Sequence, residues 1–403
     1  MISKKNIPRL KIRLVCFLLA VLLLLPLPFW IDSSRIFVQA SPFVTICSLL
    51  AGGTIWVGSV LGLGFSIIAL IRKRWFCRYI CPTGLLLDTV SGLRLPAKTW
   101  WKGWPSIGKY AALLTMAGAI AGYTLFLWMD PLALLNNAFT VYKATGAVSA
   151  AISLSGIVIL ILLALTSGKI WCARLCPLGA TQDLLENAGS FCRNFSKSLK
   201  KRPEEKAFQG YSLHATRRTF IALAAGIGLS LWAQKTGQAR SKDAPLRPPG
   251  AIKEDEFTGL CMRCGNCTRA CPSGIIHPDT GQAGILGFLA PLVRYEKDYC
   301  NEECNACTKA CPSGALQNLD LKQKNKYVIG KASVDTSLCL WGFSDCNTCI
   351  RACPYEAVKV QWNEKAYESF PGVDPLKCNG CGACEVVCPT GDLKAIKVRK
   401  KAD

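Results

Sequence analysis

Histidine is almost missing from this sequence of 403 residues. Only His214 and His277 occur, neither lies in an apolar segment, and the motif Cys-x-x-Cys-His is absent. A histidine-ligated membrane haem and a c-type haem are therefore both argued against, and we predict no haem. The sequence also lacks a Gly-Lys-Ser/Thr phosphate loop and a dinucleotide glycine fingerprint after a strand, so nothing in it indicates nucleotide binding.

Acidic side chains are scarce in residues 1–240, which hold seven of them against 27 basic ones. Residues 241–403 are nearly balanced, with 19 acidic and 21 basic side chains. The basic excess lies beside long apolar segments and not on a polar folded face, which favours membrane topology over nucleic-acid binding. We therefore predict a membrane partner and no nucleic-acid partner.

Cysteine, in contrast, is abundant, and sixteen of the 23 cysteines form four motifs that each end in Cys-x3-Cys-Pro. This spacing is typical of [4Fe–4S] ligands, in which the cysteine before proline serves the neighbouring cluster. A zinc ribbon uses Cys-x2-Cys pairs, and a disulfide scaffold would not repeat one ligand spacing so regularly. We predict four [4Fe–4S] clusters, whose ligands are Cys261, Cys264, Cys267, Cys271, Cys300, Cys304, Cys307, Cys311, Cys339, Cys346, Cys349, Cys353, Cys378, Cys381, Cys384 and Cys388.

The pairing of these motifs is not determined by their spacing. The first motif can exchange its last cysteine with the second and the third with the fourth, or the motifs can nest, first with fourth and second with third. The second and third motifs are irregular, with Cys300-x3-Cys304 and Cys339-x6-Cys346. This irregularity slightly favours the nested arrangement.

Four apolar segments in the N-terminal half are long enough to cross a bilayer, at residues 14–31, 44–71, 110–129 and 147–165. Lysine and arginine cluster at the N-terminus and after the second and fourth segments, so these parts are predicted to be cytoplasmic. A Cys-x3-Cys-Pro turn follows the second segment and recurs after the fourth, with an offset of 95 residues. Because two spans restore the orientation, the two repeats are predicted to be parallel.

The two turns supply four further cysteines, Cys77, Cys81, Cys172 and Cys176. Cysteines four residues apart face the same way on a helix. Two interpretations stay open: the pairs meet and hold a fifth [4Fe–4S] cluster at the cytoplasmic face, or they are redox-active or merely structural thiols.

Trp30-Ile31-Asp32 ends the first apolar segment, and Trp128-Met129-Asp130 ends the third. A carboxylate beside an apolar wall has a raised pKa that suits a base, so Asp130 and Asp32 are candidate proton acceptors from quinol at the outer leaflet. The alternative is that both are solvated helix caps. In this topology the cysteine turns lie on the other side of a hydrocarbon core ~30 Å thick. Either quinone connects the two faces, or exported clusters take electrons directly from quinol.

Arg217-Arg218, followed by the apolar run 222–232, resembles a twin-arginine export signal, which would remain as a fifth span if it is not cleaved. We predict an α-helical membrane domain of four spans in two parallel repeats (1–206), a twin-arginine signal-anchor segment (207–239), a linker (240–256) and an α+β polyferredoxin domain with four clusters (257–403). The predicted location is the bacterial inner membrane, with the ferredoxin domain on the periplasmic side.

These motifs resemble two subunits of periplasmic nitrate reductase systems. The four segments with their two Cys-x3-Cys-Pro turns are similar to the NapH-type membrane ferredoxin, and residues from about 217 to 400 are similar to the NapG/MauM-type polyferredoxin. The resemblance implies a fusion of both subunits that passes electrons from the quinone pool to a periplasmic reductase or electron carrier. One departure is that residues 177–216 contain only Cys192, whereas the membrane subunit often carries a further ferredoxin motif there.

The sequence is compatible with two functions. One is electron transfer from quinol, as a component of a quinol dehydrogenase complex, without settling whether the chain alone is an enzyme. The other is maturation or reactivation of a periplasmic metalloenzyme.

Overall fold

The computed structural model describes residues 7–25, 30–52, 57–93, 100–143, 147–200, 214–238, 245–342, 344, 346–363, 368–391 and 393–400. The chain forms two compact units. The first unit comprises Met1–Thr236, Asp255–Cys264 and Pro312–Gly314, and the second comprises Gly237–Glu254, Gly265–Cys311 and Ala315–Asp403.

The first unit is helical. Its helices are α1 (Ile7–Leu24), α2 (Trp30–Gln39), α3 (Pro42–Leu50), α4 (Val57–Ile71), α5 (Trp75–Tyr79), α6 (Pro82–Gly92), α7 (Ile107–Ile120), α8 (Pro131–Ala138), α9 (Ala147–Ser167), α10 (Pro177–Lys200), α11 (His214–Gln238) and α12 (Glu254–Leu260). Shorter 3-10 turns lie at Trp100–Gly103, Leu127–Met129 and Phe139–Lys143, and a π turn lies at Trp171–Leu175.

Two of the four apolar segments are interrupted. The segment 44–71 is divided between α3 and α4, and in the segment 110–129 helix α7 ends at Ile120. Within the described ranges, α9 is the one helix that is both long and apolar enough to cross a membrane, while α4 and α7 are shorter apolar helices. The new starts of α3 and α8 follow Ser41-Pro42 and Asp130-Pro131, a polar N-cap and then proline, which favours helix initiation.

The internal repeat folds as two interlocked halves. Helix α10 of the second repeat packs against α4 of the first, and α6 of the first packs against α9 of the second. Two ion pairs also connect the first repeat to the second. Arg74 Nη2 lies 2.5 Å from Asp183 Oδ2, and Lys169 Nζ lies 2.9 Å from Asp88 Oδ1. The basic residues are 95 positions apart, and so are the acidic ones. Each pair therefore joins one repeat to the other.

Helix α11 is continuous and packs closely on α7. A Cβ atom at Gly226 would lie 2.7 Å from the carbonyl oxygen of Leu114, and Ser230 Oγ donates to the carbonyl of Tyr123 at 3.0 Å. Small residues allow such close approach of two helix backbones. The arginine pair Arg217-Arg218 is exposed near the start of this helix. The apolar run after the pair is therefore part of the helical unit.

The second unit mixes short helices and strands. Its helices are α13 (Asn266–Ala270), α14 (Gly284–Gly287), α15 (Ala306–Ala310), α16 (Leu321–Lys326), α17 (Thr348–Ala352) and α18 (Ala383–Val387), and a 3-10 turn lies at Leu340–Gly342. The strands form three antiparallel pairs, β1 (Ile276–Pro278) with β2 (Pro291–Val293), β3 (Lys331–Val334) with β6 (Ile396–Arg399), and β4 (Val358–Asn363) with β5 (Glu368–Val373). Ile276 lies opposite Val293, Ala332 opposite Val398 and Val360 opposite Pro371.

Candidate functional site

The four cysteine motifs of the C-terminal part share one local geometry. The third cysteine of each motif lies in a five-residue helix, α13, α15, α17 or α18, and the fourth directly follows that helix. The fourth cysteines have extended backbones, with ψ of 113° at Cys271 and 124° at Cys388. The proline that follows each of them excludes the helical conformation, so the chain turns away from its own motif.

The fourth cysteine of the first motif joins the second motif. After burial itself, the neighbouring thiols of Cys300, Cys271 and Cys304 raise the pKa of Cys307. Cys304 likewise contributes to the raised pKa of Cys271, behind burial. The nested arrangement favoured by the irregular spacings is therefore wrong. The packing of α13 on α15, and not the lengths between cysteines, decides which thiols meet.

The third and fourth motifs exchange cysteines in the same way. A space of about 310 Å³ is lined by the first three cysteines of the fourth motif and by Cys353 of the third. A space of about 370 Å³ is lined by the first three cysteines of the third motif and by Cys388 of the fourth. Within the described ranges, no three candidate ligands converge tightly enough for a single metal ion; the thiols instead surround a larger space.

Backbone amides point at the sulfur atoms of these sets. Leu316 N donates to Cys311 Sγ at 3.4 Å, and Ala357 N donates to Cys353 Sγ at 3.3 Å. Hydrogen bonds to the sulfurs of an iron–sulfur cluster help set its reduction potential. Four thiols around one space with amide donors behind them fit a [4Fe–4S] cluster.

A further four-cysteine set lies in the helical unit. Cys77, Cys81, Cys172 and Cys176 line one space of about 440 Å³, together with residues that include Arg13, Asp88 and Pro131. This set, like the others, surrounds the space with four thiols and fits a cluster. The two repeats thus bring their cysteine pairs to one place.

Polar groups from both repeats hold this four-cysteine set. Gln182 Nε2 donates to Cys77 Sγ at 3.0 Å, and Gly84 N donates to Cys81 Sγ at 3.3 Å. Arg74 Nη1 donates to the carbonyl of Cys172 at 2.9 Å. Gln182 comes from the second repeat and Cys77 from the first, so the set depends on the interlocking of the halves.

The four-cysteine set lies close to Asp130 and is not separated from it by the thickness of a bilayer. Pro131, the next residue, lines the same space, and Thr83 Oγ1 donates to its carbonyl oxygen at 3.0 Å. The expected separation of ~30 Å between the cysteine turns and Asp130 is therefore wrong. The reason is the interruption of the apolar segments, since a new helix, α8, begins at Asp130.

Asp130 is fully buried and caps α8. Its Oδ1 accepts hydrogen bonds from Leu132 N at 2.9 Å and Ala133 N at 3.3 Å, and Ser41 Oγ donates to Oδ2 at 2.6 Å. Asp130 is thus a helix cap, but a buried one and not a solvated one. Asp32 lies in α2, and its side chain is outside the described residues.

Two short segments from the cysteine-rich part of the sequence belong to the helical unit. Asn136 Nδ2, one turn and a half after Asp130 on α8, donates to the carbonyl of Cys264 at 2.6 Å. Gln39 Nε2 donates to the carbonyl of Pro312, the residue after the second motif, at 2.9 Å. The cysteine motifs give no indication of these two amides. A polar side chain within or beside an apolar segment is the signal that indicates such a role.

Comparison with known proteins identifies the cysteine motifs. Residues 260–315 and 344–391 match the 4Fe-4S dicluster domain, and residues 54–100 and 149–200 match a 4Fe-4S binding domain. The methylamine utilization ferredoxin-type protein MauM of Methylophilus methylotrophus is 35% identical over 184 residues, covering 43% of this chain and 79% of that protein. The chain belongs to the MauM/NapG family of ferredoxin-type proteins.

Other relatives are similar to the C-terminal half or to the N-terminal half of this chain. The ferredoxin-type protein NapG of Escherichia coli K12 is 35% identical over 192 residues, 45% of this chain and 80% of that protein. The ferredoxin-type protein NapH of Haemophilus influenzae is 26% identical over 152 residues, 36% of this chain and 50% of that protein. No solved structure matches the chain. The predicted resemblance to NapH and NapG/MauM proteins is confirmed, and a fusion of the two types accounts for the coverage.

Proposed function

We propose that this ferredoxin-type [4Fe–4S] electron-transfer protein oxidises quinol in its helical unit and passes the electrons to a periplasmic redox partner. The observation that carries the proposal is the position of Asp130. This buried carboxylate adjoins Pro131, which lines the four-cysteine space, and it begins the helix whose Asn136 binds the carbonyl of Cys264. A proton acceptor and two cysteine sites thus lie along a single short helix.

The distances along α8 suit a short electron path. Pro131 and Asn136 are five residues apart, which is about 7.5 Å along a helix axis at 1.5 Å per residue. Asn136 fixes the backbone of Cys264, and Gln39 fixes the backbone after Cys311. Both bonds lie within the helical unit, to which Cys264 and Pro312 belong.

The cysteines are proposed to hold five [4Fe–4S] clusters, which each carry one electron at a time when bound. Sixteen cysteines form four sets, because the paired motifs exchange their fourth cysteines. By this rule the first set contains Cys311, the fourth cysteine of the second motif. The fifth set is Cys77, Cys81, Cys172 and Cys176. Two matches to a 4Fe-4S binding domain, one over each cysteine pair, support the fifth set. Arg13, Arg74 and Lys169 lie close by and offset the negative charge of thiolates.

Asp130 is proposed to act as the base. Oxidation of one quinol to quinone releases two electrons and two protons. Asp130 accepts one proton from each quinol hydroxyl in turn and passes it to water before the next transfer. Its Oδ2 atom receives one hydrogen bond, from Ser41, and keeps acceptor capacity for the quinol hydroxyl.

The helical unit is proposed to lie in the bacterial inner membrane, with the cysteine-rich domain on the periplasmic side. Interrupted helices are tolerated at membrane depth where the irregular backbone is buried in protein, as at Ser41 and Asp130. The close packing of α11 on α7 supports retention of the twin-arginine segment as an anchor. The proposed domains remain 1–206, 207–239, 240–256 and 257–403.

Reduction of the purified protein by a quinol analogue tests this function. The detergent-solubilised protein is mixed anaerobically with the analogue, and the reduced clusters are followed by EPR. We expect reduction within seconds by quinol alone. If dithionite reduces the clusters but quinol does not, and deletion of the gene instead removes the cofactor of a periplasmic enzyme, the maturation function is supported and the electron-transfer function is wrong.

A further inference from the structure

We propose that the ligand set of the third motif, Cys339, Cys346 and Cys349 with Cys388, is the terminal set, at which electrons leave for the partner protein. The proposal rests on the electron-transfer function and adds the exit point and the face that the partner contacts. It follows from the order of the ligand sets and from their exposure.

The second and fourth ligand sets are neighbours. Cys300 N donates to the carbonyl of Cys381 at 2.9 Å, which joins the backbones of the two sets directly. Tyr295 OH donates to the carbonyl of Gly380 at 2.5 Å, and a Cβ atom at Gly382 would lie 2.2 Å from the Tyr295 ring. A positive φ of 88° at Gly382 allows this close approach. The fourth set therefore stands beside the second.

The third set follows the fourth. The two sets exchange Cys353 and Cys388, and their helices α17 and α18 pack together. Ala357 N donates to Cys353 Sγ, and β4 begins at the next residue. Within the second unit the order is thus second, fourth, third. This order differs from the order of the motifs in the sequence.

Exposure distinguishes the two ends of this series. Cys271, Cys300 and Cys307 of the second set are buried, and so are the three cysteines that the fourth motif gives to its own set. In the third set, Cys339, Cys346 and Cys349 are all half-buried. The insertion in Cys339-x6-Cys346 begins with the 3-10 turn Leu340–Gly342, whose Leu340 lines the space. The irregular spacing thus accompanies the most open set.

An apolar surface adjoins the third set. Val360 and Trp362 share one face of β4, because side chains alternate along a strand, and Pro371 opposite Val360 lines the third set's space. Val360 is 50% exposed and Trp362 is 61% exposed, and Leu393, which follows the fourth motif, is 64% exposed. Large apolar side chains left in solvent indicate a contact surface. The fitting occupant is a protein that presents its own one-electron centre within an apolar face, because the surface surrounds the end of the series.

Relaxation of the EPR signals by a soluble dysprosium chelate tests the order. Cys346→Ser and Cys388→Ser should each remove the same cluster signal and about four irons per chain, because one cubane contains four. In the wild-type holoprotein, the chelate should relax that signal more than those removed by Cys304→Ser or Cys384→Ser. If the two first variants lose different signals, or if the chelate relaxes the second or fourth set most, the proposal is wrong.

Surface variants test the docking face. Trp362→Ala should lower the apparent affinity for cytochrome c as a one-electron acceptor roughly tenfold, the loss typical of a buried interface tryptophan. Ile285→Ala is the matched control, since Ile285 is 83% exposed on α14 of the same unit. Equal effects of the two variants would overturn the docking face. Cluster reduction by quinol should be unchanged in both variants. The EPR relaxation experiment uses protein reduced with dithionite and does not depend on quinol. If quinol does not reduce the wild-type protein, the proposed function is therefore wrong, but the order of the ligand sets is still tested.

Discussion

Replacement of Asp130 by asparagine separates its two roles, as helix cap and as base. Asparagine is an equally good N-cap, and its Oδ1 atom still accepts from Leu132 N and Ala133 N. Its amide donates to Ser41 Oγ, which has acceptor capacity. We therefore expect the thermal stability to change by less than about 1 kcal/mol. Alanine, in contrast, should cost about 1 kcal/mol for the cap, and more for the Ser41 hydroxyl left buried without its acceptor.

The rate of cluster reduction by quinol should respond very differently from stability. A positioned base contributes typically ~10²–10⁴-fold, so Asp130→Asn should slow the reaction by about that factor, which corresponds to roughly 3–5 kcal/mol of barrier. The assay is anaerobic stopped-flow mixing with a quinol analogue, with iron content and melting temperature measured on the same samples. Asn137→Ala is the control, because Asn137 lies on the same helix and its amide contacts Ser153. An Asp130→Asn protein that keeps its iron and the wild-type rate would refute the reasoning.

The pH dependence gives a second observable for the same residue. The base must be deprotonated, so the second-order rate should rise with pH through one inflection and then level off. The hydrogen bond from Ser41 stabilises the charged carboxylate of Asp130, so Ser41→Ala should move the inflection to higher pH. An inflection that stays in place in this variant would contradict the assignment.

The remaining predictions concern the cysteine set and the packing of the helical unit. Cys77→Ala and Cys172→Ala should each lower the iron content from about 20 to about 16 per chain, while Cys192→Ala leaves it unchanged. Arg74→Ala should cost about 1–3 kcal/mol in a thermal unfolding assay, because its pair with Asp183 is partly buried, and Lys169→Ala should cost under about 1 kcal/mol because Lys169 is 61% exposed. Gly226→Leu should destabilise by about 1–3 kcal/mol through a clash with α7, whereas Gly228→Leu, with open space around it, should not. Mass spectrometry of the purified chain should find residues 214–238 still attached; a chain that lacks them would contradict the anchor.

The sequence predicted the cysteine chemistry well, because ligand spacing is a local property. The motif Cys-x3-Cys-Pro predicts a site with thiol ligands and a turn of the chain after the last cysteine. The repeat at an offset of 95 residues indicates that Cys77 and Cys172 occupy equivalent positions. The choice between paired and nested motifs depended on the packing of α13 with α15 and of α17 with α18. These are contacts between segments that are distant in sequence, and spacing carries no information about them.

The depth of Asp130 was the main error, and its cause is physical. A hydropathy window treats residues 44–71 and 110–129 as continuous spans, although α3 ends at Leu50 before α4 begins at Val57, and α7 ends at Ile120. Asp130-Pro131 then starts a new helix directly after the second of these segments. Once α8 is recognised as a separate short helix, its N-terminus lies beside Thr83 and the cysteine pairs. The polar residues Gln39 and Asn136 lie within or beside apolar segments, and such a position indicates that their side chains have a buried hydrogen-bond partner.

Quinol-driven reduction of the clusters in the Asp130→Asn protein, compared with the wild type, tests the central claim most directly. The account predicts that a quinol analogue alone produces reduced [4Fe–4S] EPR signals in the wild type within seconds. In Asp130→Asn the same signals should appear at least about a hundredfold more slowly, while dithionite reduces both proteins equally. Equal rates with quinol in the two proteins, or no reduction by quinol in either, would contradict it.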